Sequence, residues 1–303
     1  MNIVNTVHIL PGRYIIAVSG GIDSIVLLDI ARKIPHVHLT VAHFDHGIRH
    51  DSAEDRVFVE RAARVCGLPF VFSNGNLGAE ASEEKARNAR YVFLRKVQKQ
   101  AGADGILTAH HMNDVLETAT HNLLRGTGRK GMSSLKSIDG IHRPLLHLPK
   151  NKLMEHAHSH GLEWREDSTN SDMRYRRNYI RHQLLPMMQK KSPQKYSALQ
   201  SLVKRQAVLN TAIDTALHTI LHVQPHTASL RRHDVIILPH NVARELVGEW
   251  LRVNGKREFN RRHLERATIA LKTARPSTTL ILDKTYRLEF DKKLARIVTT
   301  PSS

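Results

Sequence analysis

Ser19-Gly20-Gly21-Ile22-Asp23-Ser24 is the stretch that decides the fold of this chain. It follows the apolar run of residues 14–18 and precedes a helical pattern over residues 25–31, so the order predicts a strand, a tight turn and a helix. Such a turn directs several backbone N–H groups towards one point, where the helix dipole adds partial positive charge. The glycines allow a sharp turn and a close approach of a phosphate, and the serines offer hydroxyl donors. The stretch therefore predicts a phosphate-binding loop.

Asp23 indicates a cation at this loop. A carboxylate beside a polyphosphate is repulsive unless a cation lies between them, which predicts Mg²⁺. The alternative is a helix start capped by Ser or Asp with no ligand at all. A Walker loop is excluded because G-x-x-x-x-G-K-[ST] occurs nowhere in the chain. The loop resembles the pyrophosphate-binding loop of N-type ATP pyrophosphatases, and this resemblance implies that residues 19–24 bind ATP and that pyrophosphate is released.

The composition indicates a polyanionic partner. The 303 residues include 46 Lys and Arg against 28 Asp and Glu, a formal charge of +18, and nucleic acid is the first candidate. No run of eighteen apolar residues occurs, and residues 1–11 lack a signal-peptide pattern, so we expect a cytoplasmic protein without a membrane partner. The single cysteine, Cys66, excludes an internal disulfide and any C-x-x-C site.

Strand-like and helix-like patterns alternate in the first part of the chain, which predicts βαβ units and a doubly wound, mostly parallel α/β sheet. Strands are expected near 14–18, 37–42, 69–73 and 105–109. Helices are expected near 24–34, 52–66, 82–101, 113–125, 150–160 and 176–185, the last stopped by Pro186. Ligands on such sheets bind beyond the carboxyl ends of the strands, where loops 19–24, 43–50 and 110–117 would meet.

A second, smaller α+β domain is expected after a boundary near residues 190–200, giving a catalytic domain over 1–195 and a C-terminal domain over 196–303. The pattern predicts helices over 199–221, 239–253 and 261–273, and strands near 278–282, 285–290 and 294–298. Residues 201–303 hold 18 basic and 9 acidic side chains. We interpret the paired arginines as a platform for RNA phosphates, against the alternative of a solvated basic face; they are Arg231, Arg232, Arg261 and Arg262.

Carboxylates occur in the other two loops of the predicted sheet edge. Asp45 follows the second strand, and Asp114 and Glu117 are spaced to share one face of a helix. The adjacent His110 and His111 make zinc conceivable, but H-E-x-x-H is absent and oxygen ligands beside a phosphate loop suit Mg²⁺ better, with Asp23 and Asp114 as ligands. We expect His156, His158 and His160 to be exposed and not to act as ligands.

Five blocks in this order resemble the bacterial tRNA(Ile)-lysidine synthetases over about residues 14–186. The blocks are residues 19–24, 45–49 (DHGIR), 84–91 (EKARNARY), 110–128 (HHMNDVLET leading into LRGTG) and 167–181 (DSTN followed by YRRNYIR). The resemblance implies adenylation of the wobble cytidine of tRNA(Ile) by ATP, followed by attack of free lysine on C2 to give lysidine. A homodimer is compatible with the sequence.

The resemblance also implies roles for single residues. Arg87 is expected to reach the nucleotide or the target base. Asp45, Asp114 and Glu117 are the candidates for positioning the lysine amine and accepting its proton. Further basic residues are expected to contact RNA or neutralise charge in the transition state: Arg125, Arg129, Lys130, Arg176, Arg177 and Arg181.

One departure from the family pattern bears on catalysis. The family has two aspartates followed by glutamine where this chain has Asn113, Asp114 and Val115, so we expect a weaker cation site or a ligand role for Asp114 alone. Two alternatives therefore stay open. One is a tRNA thiolation enzyme of the same superfamily, although such enzymes generally use paired cysteines. The other is a nucleotide- or RNA-binding protein that has lost catalysis.

Overall fold

The computed structural model describes residues 3–47, 52–78, 81–137, 140–166, 176–220, 228–256 and 259–299. The chain divides into two compact units, Met1–Ala207 and Val208–Ser303. This division falls inside a continuous helix, Pro193–Ile220, whereas the sequence analysis predicted a boundary between residues 195 and 196. No helix in the described ranges is long and apolar enough to cross a membrane.

A parallel five-stranded sheet forms the centre of the first unit. The strand order is β3-β2-β1-β4-β5, and every neighbouring pair is parallel. The strands are β1 (Gly12–Ala17), β2 (Val37–Asp45), β3 (Phe70–Asn74), β4 (Gly105–Leu107) and β5 (Ile141–His142). The predicted doubly wound α/β fold is confirmed, because parallel neighbours require the crossover helices that the alternating pattern indicated.

Helices cover both faces of this sheet because the side chains of each strand alternate between the faces. Ile16 of β1 packs with α1, α2 and α5, whereas its neighbour Ile15 packs with α3 on the opposite face. The helices of the first unit are α1 (Ile22–Ala31), α2 (Ser52–Val65), α3 (Glu83–Gln100), α4 (Met112–Leu124), α5 (Lys150–Ser159), α6 (Arg176–Tyr179), α7 (Leu185–Lys191) and the start of α8 (Pro193–Ile220).

The prediction that Pro186 stops a helix is wrong. A π-helical turn, Ile180–Leu184, follows α6, and Pro186 then lies in the first turn of α7. The Leu185 amide donates to the Ile180 carbonyl of the π-helical turn, and Pro186 follows in the first turn of α7, where the ring of a proline is tolerated. The two-residue strand β5 was not predicted, since it is too short to show a strand pattern.

The second unit packs helices against a four-stranded antiparallel sheet of order β6-β9-β8-β7. Its core surrounds the fully buried Trp250. Its elements are β6 (Ser229–Arg231), α9 (Arg232–Ile236), α10 (His240–Val253), α11 (Arg261–Thr273), β7 (Thr278–Ile281), β8 (Tyr286–Phe290) and β9 (Leu294–Thr299). Strand β6 and helix α9 were not predicted, whereas the other elements lie within a few residues of their expected positions.

Candidate active site

The loop between β1 and α1 leaves the start of α1 open. Gly21 is the N-cap residue, and no side chain caps the helix. The Ser24 hydroxyl donates to the Gly21 carbonyl at 2.8 Å and accepts from the Ser19 amide at 3.2 Å, so this serine shapes the loop. Gly20 has φ +97°, a conformation that disfavours any side chain, whereas Gly21 has an ordinary φ of −72°. The alternative, a helix start capped by a Ser or Asp side chain, is therefore not observed. First-turn amides of α1 remain available to an anion.

Asp23 lies in the first turn of α1 with one oxygen paired and one without a partner. Its Oδ2 lies 3.5 Å from His111 Nε2 and 3.5 Å from Lys150 Nζ. Its Oδ1 is buried and accepts no hydrogen bond within the described part of the chain. Burial alone would raise the pKa of Asp23, but the hydrogen bond and charge of His111, with the charge of Lys150, lower it. Asp23 is therefore an anion that keeps one buried oxygen for a further ligand.

A magnesium ion fits this unpartnered oxygen. Asp114 lines the same cavity as Asp23, and its Oδ2 lies 3.6 Å from the same His111 nitrogen. Both oxygens of Asp114 already accept hydrogen bonds, from the His111 amide at 2.9 Å and from Arg181 at 2.9 Å. Asp23 is therefore the better ligand of the two, and Asp114 would have to share its lone pairs.

Asn113 stands where the family has an aspartate, and its side chain contacts the start of a neighbouring helix. Its Oδ1 accepts from the backbone N–H of Lys150 at 3.0 Å and so caps α5, whose N-cap Pro149 provides no side-chain cap. Asn113 does not line the cavity that Asp23 and Asp114 share. The expectation that Asn113 weakens the cation site stays a prediction, and the structure shows that the side chain at this position contacts a neighbouring helix.

Glu117 and Asp114 together hold Arg181. The guanidinium donates to both oxygens of Glu117, at 2.7 and 2.8 Å, and to Asp114 at 2.9 Å. Glu117 is only 2% exposed. Although burial opposes it, these contacts raise the pKa of Arg181 and keep the guanidinium charged. Arg181 thus neutralises two carboxylates on α4. Its guanidinium already has partners within the protein, which a residue that only contacts RNA would not need.

A cavity of about 420 Å³ lies at the carboxyl ends of the strands, next to the loop 19–24. Its lining includes Asp23, Asp45 and Asp114, which the sequence analysis selected. Arg90 and His110 line it as well. Burial lowers the pKa of His110 to about 3, an effect that Arg143 and Arg90 reinforce and Asp114 opposes, so the imidazole is neutral at physiological pH.

The other arginines and the lysine that were expected at the site of the first unit are not among the residues that line this cavity. The Arg87 guanidinium lies 5.2 Å from the centre of the Tyr91 ring, and Arg90, not Arg87, is the α3 arginine that lines the cavity. Arg177 donates to the Thr118 hydroxyl at 3.3 Å. Exposed basic side chains include Arg125 and Arg176, with Arg129 and Lys130 half-buried. The predicted block 167–170 lies outside the described residues.

Three site residues were missed by the sequence analysis. His111 joins Asp23 to Asp114, and Lys150 approaches Asp23 from the start of α5. The amide of Arg165 donates to the Gly20 carbonyl at 3.0 Å while its side chain pairs with Asp55 at 2.6 Å. His111 lay within a quoted motif, but Lys150 and Arg165 carry no local signal because they reach the loop from distant parts of the chain.

Residues Arg231, Arg261 and Arg262 are exposed, as an RNA contact requires. Arg232 differs from them, because it is only 6% exposed and donates to the carbonyls of Leu271, Ala274 and Asp291. The prediction that Arg232 contacts RNA is therefore corrected: its guanidinium holds three chain segments of the second unit together.

His156 is also buried, contrary to the expectation of an exposed residue. Its Nε2 lies 2.9 Å from Asp29 Oδ2, and its ring stacks on that of His160 at 3.9 Å. Asp29 also pairs with Arg32 at 2.8 Å and Lys33 at 2.7 Å. Two cations already balance this carboxylate, so we interpret the cluster as an ion-pair network that joins α1 to α5 rather than a metal site.

Comparisons with known proteins agree with this geometry. Residues 4–188 match the family described as the PP-loop domain. A tRNA(Ile)-lysidine synthase of Thermotoga sp. (strain RQ2) is 38% identical over 210 residues, 66% of this chain and 51% of that protein. A tRNA(Ile)-lysidine synthase of Geobacter sulfurreducens is 35% identical over 68% of this chain and 48% of its own length. The chain thus spans about half the length of these curated relatives.

One solved structure has a similar fold. The U34-tRNA thiolase NcsA from Methanococcus maripaludis matches with a TM-score of 0.54 and 14% identity, over 67% of this chain and 76% of that chain. At this identity the similarity concerns the fold alone.

Proposed function

The chain belongs to the PP-loop domain family, and from this premise we propose that it is an ATP-dependent ligase that makes lysidine. The reaction joins free lysine to C2 of the wobble cytidine of tRNA(Ile) with the CAU anticodon. The observation that carries the proposal is the open start of α1 beside an ionised Asp23 with an unpartnered oxygen. The names of the curated relatives and the charge of +18 support an RNA substrate.

In the proposed first step, the O2 oxygen of the cytidine attacks the α-phosphate of ATP, and pyrophosphate leaves. The loop 19–24 holds the leaving pyrophosphate through first-turn amides of α1. Lys150, close to Asp23, adds positive charge on the same side. Asp23, with Asp114 beside it, would hold Mg²⁺, which supplies neutralisation of phosphate charge when bound.

In the proposed second step, the neutral ε-amine of lysine attacks C2 and AMP leaves with its oxygen. At pH 7 the ammonium form dominates, and deprotonation costs about 4.6 kcal/mol for a pKa of about 10.4. A carboxylate is needed to position the ammonium and accept its proton. Asp45 and Asp114 line the cavity, whereas Glu117 is not among the residues that line it. We therefore rank Asp45 and Asp114 before Glu117 as the proton acceptor.

The proposal also covers the residues that contact RNA, the cellular compartment and the oligomeric state. Exposed arginines of both units, including Arg176 and Arg261, are suited to phosphate contacts. The cytoplasm is the expected compartment because tRNA, ATP and lysine occur there together. A homodimer remains a prediction.

Mass spectrometry of transcribed isoleucine tRNA incubated with ATP and lysine tests the proposal. A gain in mass that matches lysine is expected, and none is expected with Asp23→Asn. A gain matching sulfur would identify a thiolation enzyme, and no gain would identify a binding protein; either result overturns the proposal. ATP–pyrophosphate exchange that depends on tRNA tests the first step alone, and near-normal exchange by Asp23→Ala would contradict the role of Asp23.

A further inference from the structure

A second cavity of about 500 Å³ lies in the first unit, away from the loop 19–24. It is formed by the segment before β1 and the segments around β5. Six polar side chains line it: Thr6, His8, Ser137, His142, Arg143 and His147. None of them is acidic, so the lining offers hydrogen-bond donors and positive charge without a carboxylate.

Arg143 is the central feature of this cavity. It is only 5% exposed. One terminal nitrogen donates to the Lys136 carbonyl, and Nε has no hydrogen-bond partner in the described ranges. No carboxylate pairs with it among the described residues. Burial lowers the pKa of Arg143, the neighbouring Tyr91 hydroxyl opposes this, and nearby Arg87 acts in the same direction as burial. A buried guanidinium without a counterion is costly, which favours an anion in the complete complex.

His8 and Lys204 lie close to His147 at this cavity. Burial lowers the pKa of His147, and the charges of His8 and Lys204 lower it further, whereas backbone hydrogen bonds at Pro144 and Thr6 oppose this. The Ser137 hydroxyl accepts from the Arg143 amide at 2.9 Å, which ties the two sides of the cavity together. His8, Ser137 and His147 are exposed at the rim, where a ligand would enter.

We propose that this cavity binds a phosphate group of the RNA backbone. The inference rests on the proposed function and adds a phosphate subsite to it. The Thr108 amide donates to the His142 carbonyl at 3.0 Å, and because Thr108 lines the nucleotide cavity and His142 lines this one, the two cavities are neighbours. A base that enters one of them brings its flanking phosphates close to the other. ATP has its own loop at residues 19–24, which favours the RNA as the source of this phosphate.

The test is the double variant His8→Glu, His147→Glu, which places carboxylates beside Arg143 without disturbing buried side chains. The matched control is His38→Glu, an exposed residue near the start of β2 that lines neither cavity. The readout is the affinity for a fluorescein-labelled anticodon stem-loop RNA across a salt series. We expect about a tenfold loss at low salt and a salt slope reduced by about 1 for the double variant, with less than a twofold loss for the control. ATP affinity should be unchanged.

Equal affinity of the double variant and the control would overturn the proposal. Inorganic phosphate is the second probe. If it raises the melting temperature of the wild-type chain only, while RNA affinity is unaffected by the substitutions, the cavity binds free phosphate and the RNA subsite is refuted. A wild-type chain that neither binds this RNA nor incorporates lysine would instead show that the proposed function fails.

Discussion

Asp29→Asn should destabilise the chain in a pH-dependent way. Asp29 is 4% exposed and pairs with His156, Arg32 and Lys33 at distances of 2.7 to 2.9 Å. Burial opposes ionisation, but the contacts with Lys33, His156 and Arg32 outweigh it and lower the pKa of Asp29 from 3.8 to about 2. The network joins α1 and α5, whose first turns carry Asp23 and Lys150.

The pKa shift gives the magnitude. A lowered pKa in the folded state means that ionisation stabilises the fold above the unfolded value of 3.8, and that this stabilisation is lost as the pH falls through about 2. A difference of nearly two units corresponds to about 2 kcal/mol at pH 7 and to about half of that at pH 3. Arg32 and Lys33 are partly exposed, so salt will reduce the effect.

Urea unfolding at pH 7 and pH 3 measures this prediction. The matched control is Glu60→Gln, which removes the charge of an exposed carboxylate paired with Arg64 at 3.5 Å and should cost no more than about 0.5 kcal/mol. The loss caused by Asp29→Asn should be about 1 kcal/mol smaller at pH 3 than at pH 7. A loss no larger than that of the control, or one that is the same at both pH values, would refute the reasoning.

Three further predictions concern single residues. Gly20→Ala should lower both the melting temperature and the affinity for ATP, because φ at Gly20 is +97° and a side chain in this conformation costs about 1–2 kcal/mol of folding free energy. Gly21→Ala should leave the melting temperature of the free protein unchanged, because φ at Gly21 is −72°. Asn113→Asp should change the rate of lysine incorporation less than twofold, since this side chain caps α5; a fivefold increase would show that it belongs to the cation site. Arg232→Ala should unfold the second unit at a temperature several degrees lower, because three carbonyls lose a buried donor, while Arg231→Ala should not. Equal melting temperatures of the two arginine variants would contradict this.

Much of the site was predictable because its signals are local. The loop 19–24 combines a strand, glycines and a helix start within one short stretch, and the alternation of patterns along residues 14–110 is enough to predict parallel strands. Asp45 ends one strand, Asp23 and Asp114 follow two others of the same sheet, and the carboxyl ends of parallel strands meet at one edge.

The contacts between distant segments were decided by tertiary structure alone. Lys150 reaches Asp23 only because α5 packs against α1, and Arg181 reaches Glu117 through a π-helical turn that no periodicity predicts. Burial likewise separates Arg231 from Arg232, two identical neighbours in the sequence, because only one of them faces the core. Local patterns are set by backbone geometry over a few residues, whereas a side chain's partners depend on which distant surfaces the folded chain brings against it.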